Sequence, residues 1–166
     1  MSRIVMIGGH GKVALLAAPL LVDAGHEVVS LIRNPDHSAD VAATGATPLV
    51  LSVEEADVAE LTRVFAGADA IVWSAGAGGK GGPERTDAVD RAAAIRSMEA
   101  AAAAGVTRYV MVSFLTAYGE VPDDHPLRAY AIAKIAADRH LQTTDLAWTI
   151  LGPGLLTLDE PTGAIT

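Results

Sequence analysis

The stretch Ile7–Ala14, IGGHGKVA, follows a short apolar run and precedes a segment with helical periodicity. It places three glycines and a lysine between a predicted strand, Arg3–Ile7, and a predicted helix, Lys12–Ala24. A loop at the start of a helix can bind phosphate groups through its backbone N–H groups. The stretch therefore raises the question of which phosphates, if any, this loop binds.

The loop does not match the one that binds nucleoside triphosphates. That loop consists of a glycine, four residues and then Gly-Lys-Ser/Thr, whose hydroxyl group reaches magnesium. In this chain Val13 follows Gly11 and Lys12, and Met6 stands where the first glycine should be. Both ends of the pattern fail, and we therefore exclude a triphosphate loop.

The dinucleotide-binding pattern fits the same residues better. Gly9, Gly11 and Ala14 form G-x-G-x-x-A, and counting from Gly8 gives G-x-x-G-x-x-A. In such loops the glycines allow a tight turn, a close approach of the pyrophosphate, and close packing of the helix on the sheet. A plain strand-to-helix turn without a ligand is the alternative. We predict cofactor contacts from the loop and the start of the helix, at Gly8, Gly9, His10, Gly11, Lys12 and Val13.

The end of the second predicted strand, His26–Ile32, indicates which cofactor binds. A free 2′-hydroxyl on the adenosine ribose prefers an acidic partner there, whereas a 2′-phosphate prefers arginine. The strand continues into Arg33, and the first carboxylate after it is Asp36. Arg33 therefore favours NADP, with NAD as the alternative cofactor. The other interpretation of Arg33 is an ordinary solvated loop residue.

Apolar runs and helical patterns alternate along the rest of the chain. Further strands are predicted at Thr47–Leu51, Ala70–Ser74, Arg108–Ser113 and Ala147–Leu151, and helices at Glu54–Phe65, Thr86–Ala104 and Arg128–Leu141. The segment before Thr47 is polar and weakly patterned, and Ala75–Pro83 is a loop rich in glycine. The alternation predicts an α/β fold in one domain, residues 1–166. Its core is a doubly wound parallel sheet (Rossmann fold) of about six strands with helices on both faces.

Composition excludes several classes of function. The net charge of −8 argues against nucleic acid and anionic membrane as partners, because both favour a basic surface. The chain has no cysteine, and its five histidines are scattered, so we predict no metal site. The longest apolar run, Val13–Val22, has ten residues, too few to span a membrane. We expect a cytoplasmic protein with a small-molecule substrate, and we allow for a homodimer.

Three residues beyond the fifth predicted strand could carry chemistry. Ser113 ends that strand, and Tyr130 and Lys134 are four residues apart, on one face of a helix. A lysine ammonium there can favour the phenolate and prepare the tyrosine for proton transfer. Ser113 lies where ligands bind in such sheets, outside the carboxyl ends of the strands, and could hydrogen-bond the same substrate oxygen. Y-x-x-x-K occurs often by chance, and the strand-ending serine makes the pattern more specific.

The chain resembles the short-chain dehydrogenase/reductase superfamily, in its atypical and extended branch of epimerase/dehydratase-like proteins. The resemblance is carried by IGGHGKVA, GADAIVWSAG, GVTRYVMVSFLTAYG, YAIAK and LAWTILGPG, and it covers nearly the whole chain. It implies an NAD(P)-binding Rossmann fold and catalytic roles for Ser113, Tyr130 and Lys134, with Lys134 also holding the ribose. It further implies that Ala75 and Gly76 line the cofactor, and that Pro153–Leu155 lie near the nicotinamide.

The chain also departs from the family pattern. Family members often carry an acidic residue against adenine after the third strand, where this chain has Ser52 and Val53. We expect Ser52 at that point of the cofactor site. Gly152 replaces the arginine that usually precedes Pro-Gly. Family members also continue further, so we expect a minimal or truncated C-terminal substrate region, or a partner that completes the site.

These observations predict an NADPH-dependent oxidoreductase that reduces a small carbonyl or a quinone-like substrate. One alternative is a non-catalytic NADP(H) sensor whose partner contacts change with cofactor state. A second is a nucleotide-sugar epimerase or dehydratase, which would need a larger C-terminal region. Tyr118 is an alternative acid or a substrate contact, and Lys80 and Arg85 are candidate phosphate contacts in the glycine-rich loop.

Overall fold

Six short segments form the strands of one parallel sheet. They are β1 (Arg3–Ile7), β2 (Glu27–Ile32), β3 (Thr47–Val50), β4 (Ala70–Trp73), β5 (Arg108–Val112) and β6 (Ala147–Leu151). Their order is β3-β2-β1-β4-β5-β6, and every neighbouring pair is parallel. This computed structural model describes residues 1–78, 81–114, 121–154 and 156–157. The predicted doubly wound fold is confirmed, and the strand order reverses between β1 and β4, where ligands bind in such sheets.

The helices are α1 (Lys12–Asp23), α2 (Ser38–Ala43), α3 (Val58–Phe65), α4 (Gly82–Thr86), α5 (Ala94–Ala103) and α6 (Arg128–Gln142). A 3₁₀ turn at Pro35–His37 precedes α2, and a π-helical segment, Asp87–Ala93, joins α4 to α5. The sequence did not predict α2, because its segment is polar and lacks a clear apolar stripe. No helix in the described ranges is long and apolar enough to cross a membrane.

Helix α3 begins at Val58 and not at Glu54, as the periodicity predicted. The reason is a capping box formed by Asp57 and Glu60. The Asp57 carboxylate accepts the backbone N–H of Glu60 at 2.7 Å, and the Glu60 carboxylate accepts that of Asp57 at 3.1 Å. These bonds satisfy N–H groups that have no partner within the helix, and thereby fix its first residue. Residues 54–56 are therefore left outside the helix.

Apolar side chains bury both faces of the sheet. Along β1, Val5 and Ile7 pack into one cluster with side chains of α3, α5 and α6, while Met6 packs into the other with α1 and α2. This alternation follows from the two-residue repeat of a strand. Ala14 and Ala18 bring α1 close to the sheet, and both are buried. Helices therefore cover both faces, as predicted, and the loops that follow β1, β2, β4 and β5 share one edge.

Candidate active site

The loop between β1 and α1 has no room for side chains at its first two glycines. Gly8 has φ of +83°, and a Cβ there would lie 2.6 Å from the Cα of Ala75, just after β4. A Cβ on Gly9 would lie 2.5 Å from the Cβ of Ser30 in β2. Position 8 thus requires glycine, both because its φ is positive and because a neighbouring backbone lies against it. The loop is pressed against the ends of two strands.

The N-terminus of α1 is suited to bind an anion. Its N-cap is Gly11, which has no side chain to cap the helix, and its first turn contains no acidic residue. The backbone N–H of Gly11 donates to the carbonyl of Gly8 at 2.8 Å, which closes the turn. The next N–H groups carry the partial positive charge of the helix dipole, and Lys12 adds a full one. A pyrophosphate fits this arrangement without any further group.

A cleft of about 560 Å³ opens beside this helix end. It is bordered by the loops that follow β1, β2, β3 and β4. Eight residues that the sequence predicted as cofactor contacts line it: Gly8, His10, Gly11, Lys12, Arg33, Ser52, Ala75 and Gly76. Four others do not line it: Gly9, Val13, Lys134 and Pro153. Gly9 packs against Ser30, and Pro153 follows the edge strand β6. The structure thus brings most of the predicted cofactor residues to one cleft.

A carboxylate that the sequence reasoning missed faces Arg33 in this cleft. The Glu54 carboxylate lies 3.5 Å from the Arg33 guanidinium and 3.2 Å from that of Arg85. The Arg33 side chain is 62 % exposed, whereas those of Glu54 and Arg85 are 28 % and 23 % exposed. We call these three residues the mouth cluster. The sequence signal for this cluster was a glutamate four residues after β3. It was overlooked because the predicted helix began at that residue.

His10 belongs to a second group at the cleft. Its ring stacks on that of His37, with the ring centres 3.6 Å apart, and its Nε2 lies 2.9 Å from the Asp40 carboxylate. Both His37 and Asp40 come from the 3₁₀ turn and α2, the segment whose structure the sequence did not predict. The side chain of His10 is therefore already fixed by these two contacts.

The end of strand β5 and helix α6 carry the three predicted catalytic residues. The Ser113 hydroxyl, just past β5, donates to the Asp138 carboxylate at 2.5 Å. The Lys134 ammonium donates to the carbonyl of Val112 at 3.1 Å and lies 5.7 Å from the centre of the Tyr130 ring. Tyr130, Lys134 and Asp138 follow one another at four-residue spacing on α6, and they therefore share one face of the helix.

Asp90 connects this group to the cleft. It lies in the π-helical segment, is fully buried, and accepts the backbone N–H of Ala77 at 3.0 Å. Its other carboxylate oxygen is 3.6 Å from the Lys134 ammonium, and it lies 3.0 Å from where a Cβ on Gly76 would be. Asp90 thus touches the cleft wall on one side and Lys134 on the other. We call Ser113, Lys134, Asp138 and Asp90 the buried cluster.

Burial governs the ionisation of the buried cluster. It raises the pKa values of Asp90 and Asp138 and lowers that of Lys134, although each carboxylate and the ammonium partly offset the shift. Asp90 Oδ1 and Asp138 Oδ1 have no hydrogen-bond partner among the described residues. With two buried carboxylates beside one ammonium, protonation of one carboxyl group is therefore favoured.

The pKa of Tyr130 shifts against the expected direction. It is raised to about 12, because burial and then the charges of Asp90 and Asp138 disfavour the phenolate. The net shift is therefore opposite to the one expected from Lys134 alone, because burial and the two carboxylates outweigh the ammonium. At neutral pH the Tyr130 hydroxyl carries its proton. Its ring also packs on Phe114, with centres 5.1 Å apart.

The buried cluster has a partial signal in the sequence. Asp138 follows Lys134 by the same four residues that separate Lys134 from Tyr130, so a longer search for that spacing would find it. Asp90 gives no such signal, because its position depends on the π-helical segment. Tyr118, Lys80 and Leu155 lie outside the described residues. Within the described ranges, no group of three His, Asp or Glu side chains could hold a metal ion.

A parallel sheet of this order, with a glycine loop and an uncapped helix N-terminus at its switch point, defines the class of NAD(P)-binding Rossmann domains. Residues 8–166 match the family model described as NAD(P)H-binding, and the chain belongs to that family. The resemblance to the short-chain dehydrogenase/reductase superfamily is confirmed.

Individual proteins agree with this assignment. The chain is 32 % identical over 165 residues to the uncharacterized sugar epimerase YhfK of Bacillus subtilis, covering 99 % of this chain and 77 % of that protein. It is also 32 % identical, with a TM-score of 0.91, to a solved Bacillus halodurans protein assigned to the NAD-dependent epimerases/dehydratases, covering 100 % and 76 %. The oxidoreductase ylbE of Lactococcus lactis is 28 % identical, with a TM-score of 0.81 and coverage of 97 % and 73 %.

Proposed function

We propose that this protein is an NADPH-dependent oxidoreductase that reduces a small carbonyl or quinone-like substrate through Ser113, Tyr130 and Lys134. The observation that supports the proposal is the contact of Asp90 with Lys134 on one side and with the cleft wall at Ala77 on the other, because it links the face of α6 that carries Tyr130 and Lys134 to the cleft. NADPH would supply the hydride. The chain must supply a proton to the substrate oxygen and hold both molecules in place.

The cleft residues have chemistry that suits each part of the cofactor. The first turn of α1 and Lys12 suit the pyrophosphate, because both are positive and carry no acidic neighbour within that turn. Arg33 suits a 2′-phosphate, which it can bind through two parallel N–H groups. The backbone at Ala75 and Gly76 would form the wall toward the nicotinamide.

Tyr130 is suited to donate a proton. Because its pKa is raised to about 12, the Tyr130 hydroxyl is protonated at neutral pH. In that form it can donate a proton but cannot accept one as a base. Reduction of a carbonyl needs that donation, whereas oxidation of an alcohol needs the reverse. The protonated Tyr130 is therefore the form from which reduction of a carbonyl would start.

Ser113 would orient the substrate oxygen. The protonation state of Asp138 determines whether the Ser113 hydroxyl donates to that oxygen or accepts from it. In the structure the Ser113 hydrogen points to the Asp138 carboxylate, so its hydroxyl oxygen can only accept from a substrate. When Asp138 carries a proton, it can donate to Ser113, and Ser113 can donate to a carbonyl oxygen. Burial raises the pKa of Asp138 and so favours this second arrangement.

A non-catalytic NADP(H) sensor is the second function that the geometry supports. The Lys134 side chain is only 3 % exposed, and its ammonium contacts a backbone carbonyl and Asp90. The Ser113 hydrogen is likewise bonded within the protein. Side chains whose polar groups all bond within the protein can have a structural role. A sensor needs only the cleft, to bind the cofactor.

Titration of NADPH and NADH, followed by a panel of carbonyls and quinones, tests the proposal. We expect NADPH to bind, at least one substrate to be reduced, and Tyr130→Phe to lower kcat by about 10² or more, the usual share of a general acid. Tyr109→Phe is the matched control, because it removes a buried hydroxyl that bonds Ser97 away from the cleft. Binding without turnover, unaffected by Tyr130→Phe, would favour the sensor. A chain that binds neither cofactor would rule out both functions.

The descriptions of the relatives add one class of compound to the panel. YhfK is described as a sugar epimerase, so UDP-sugars with NAD belong among the substrates tested. Epimerisation would interconvert two sugars with no net change in NADH, which separates it from reduction.

We also propose a cytoplasmic location, which the lack of cysteine favours. We further propose that the protein forms a homodimer, which light scattering tests.

A further inference from the structure

The mouth cluster holds an anion where the cofactor's own anion would bind. The Glu54 carboxylate is shared between Arg33, at the end of β2, and Arg85, in α4. Arg85 donates to both oxygens of Glu54, at 3.2 and 3.3 Å, whereas Arg33 makes a looser contact at 3.5 Å. Glu54 is therefore held mainly by Arg85 and projects its charge onto Arg33.

The backbone that carries Glu54 is also fixed. Arg96 of α5 donates from one guanidinium to the carbonyls of Val53, Glu54 and Ala56, at 3.0 to 3.2 Å. The Asp57 capping box then begins α3 immediately after this turn. Because the turn is bonded on both sides, Glu54 has little freedom to leave the mouth of the cleft.

This geometry has opposite consequences for the two cofactors. A 2′-phosphate carries close to two negative charges, so it must compete with Glu54 for Arg33 and is repelled by the carboxylate. A free 2′-hydroxyl carries no charge, and a carboxylate can accept its hydrogen. We propose that Glu54 determines cofactor choice by weakening the binding of NADPH relative to NADH, an inference that rests on the proposed function.

Glu54→Gln tests this role, with Glu55→Gln as the matched control. The control removes the same charge from the next residue, which is exposed to solvent. We expect Glu54→Gln to tighten NADPH binding about tenfold, a change typical of one neighbouring charge on a doubly charged phosphate. NADH binding should stay the same or weaken. The effect on NADPH should shrink at high salt, because the mouth is open to solvent. Glu55→Gln should change neither affinity by more than about twofold.

Smaller probes show where the effect arises. Adenosine 2′,5′-bisphosphate and 5′-AMP contain only the adenosine end, and they differ by the 2′-phosphate alone. Glu54→Gln should strengthen the binding of the bisphosphate and leave that of 5′-AMP unchanged. Glu54→Asp keeps the charge and should bind NADPH more nearly as the wild type does. Circular dichroism and thermal melting confirm that the variants fold.

The outcomes separate this inference from the proposed function. If the wild type binds neither NADPH nor NADH, the proposed function is wrong. If it binds NADPH but Glu54→Gln and Glu55→Gln behave alike, only the role of Glu54 is overturned. Equal tightening of NADPH and NADH by Glu54→Gln would also overturn it, because the effect would then not depend on the 2′-phosphate.

Discussion

The mouth cluster and the buried cluster contain the same kinds of charge in opposite arrangements. In the mouth cluster one carboxylate lies between two guanidinium groups, at the edge of solvent. In the buried cluster one ammonium lies near two carboxylates, and water is excluded. Exposed ion pairs contribute little to stability and are screened by salt. Buried charges cost several kcal/mol to desolvate, so their partners are indispensable. We therefore expect the first cluster to govern selectivity and the second to govern stability and proton transfer.

The largest effect should come from removing the cation of the buried cluster. Lys134→Met leaves Asp90 and Asp138 buried without their ammonium, and we expect a loss of about 3 to 5 kcal/mol in the free energy of unfolding. Urea denaturation measures it. The double variant Lys134→Met, Asp90→Asn should recover part of the loss, because it also removes one orphaned charge. Lys12→Met, an exposed lysine at the start of α1, is the control and should change stability by less than about 0.5 kcal/mol. An equal loss in the single and double variants would contradict the account.

The pH dependence of stability should be smaller but diagnostic. The pKa of Asp90 is raised from its usual 3.8, so folding takes up a proton and the contribution of Asp90 to stability is lost as pH rises through its raised pKa. The free energy of unfolding of the wild type, minus that of Asp90→Asn, should therefore decrease from pH 3.8 upward. The comparison cancels the opposite trend from carboxylates with lowered pKa values, such as Asp87 beside Arg91. A difference that increases with pH would show that Asp90 is stabilised in its charged form.

The smallest effect on stability should come from the mouth cluster. Arg33→Ala breaks one exposed ion pair and should change the free energy of unfolding by less than about 1 kcal/mol. Arg33→Ala should nevertheless weaken the binding of NADPH more than that of NADH, as titration of both cofactors would show. Arg63→Ala, on the exposed side of α3, controls for net charge. Unchanged NADPH affinity in Arg33→Ala would mean that the preference for NADP is wrong.

The two clusters also differ in how far the sequence could predict them. The cofactor loop and Arg33 follow from local patterns, because the glycines after β1 and the arginine after β2 stand at fixed offsets within one βαβ unit. Ser113, Tyr130 and Lys134 follow from one strand end and one helical spacing. Glu54 was hidden because the helix was predicted to begin at that residue, and only the Asp57 capping box excludes it.

Tertiary contacts account for what the sequence could not predict. Asp90 lies far along the chain from Lys134, and their contact depends on how α6 packs against the π-helical segment. The pKa of Tyr130 depends on burial and then on charges from two different elements, so the Tyr-Lys spacing alone could not give the direction of its shift. The roles of all the predicted cofactor and catalytic residues stay predictions, as does the single domain.

The cleft and the buried cluster should act together in a reduction by NADPH. NADPH deuterated at the nicotinamide carbon that gives up the hydride tests this joint action. Mass spectrometry then follows the products of the carbonyl and quinone panel. We expect the wild type to transfer one deuterium to the carbon of a reduced carbonyl, and Tyr130→Phe to transfer far less at equal NADPH occupancy. The joint action would be disproved if NADPH bound the wild type, passed no deuterium to any carbonyl of the panel and was oxidised by no quinone.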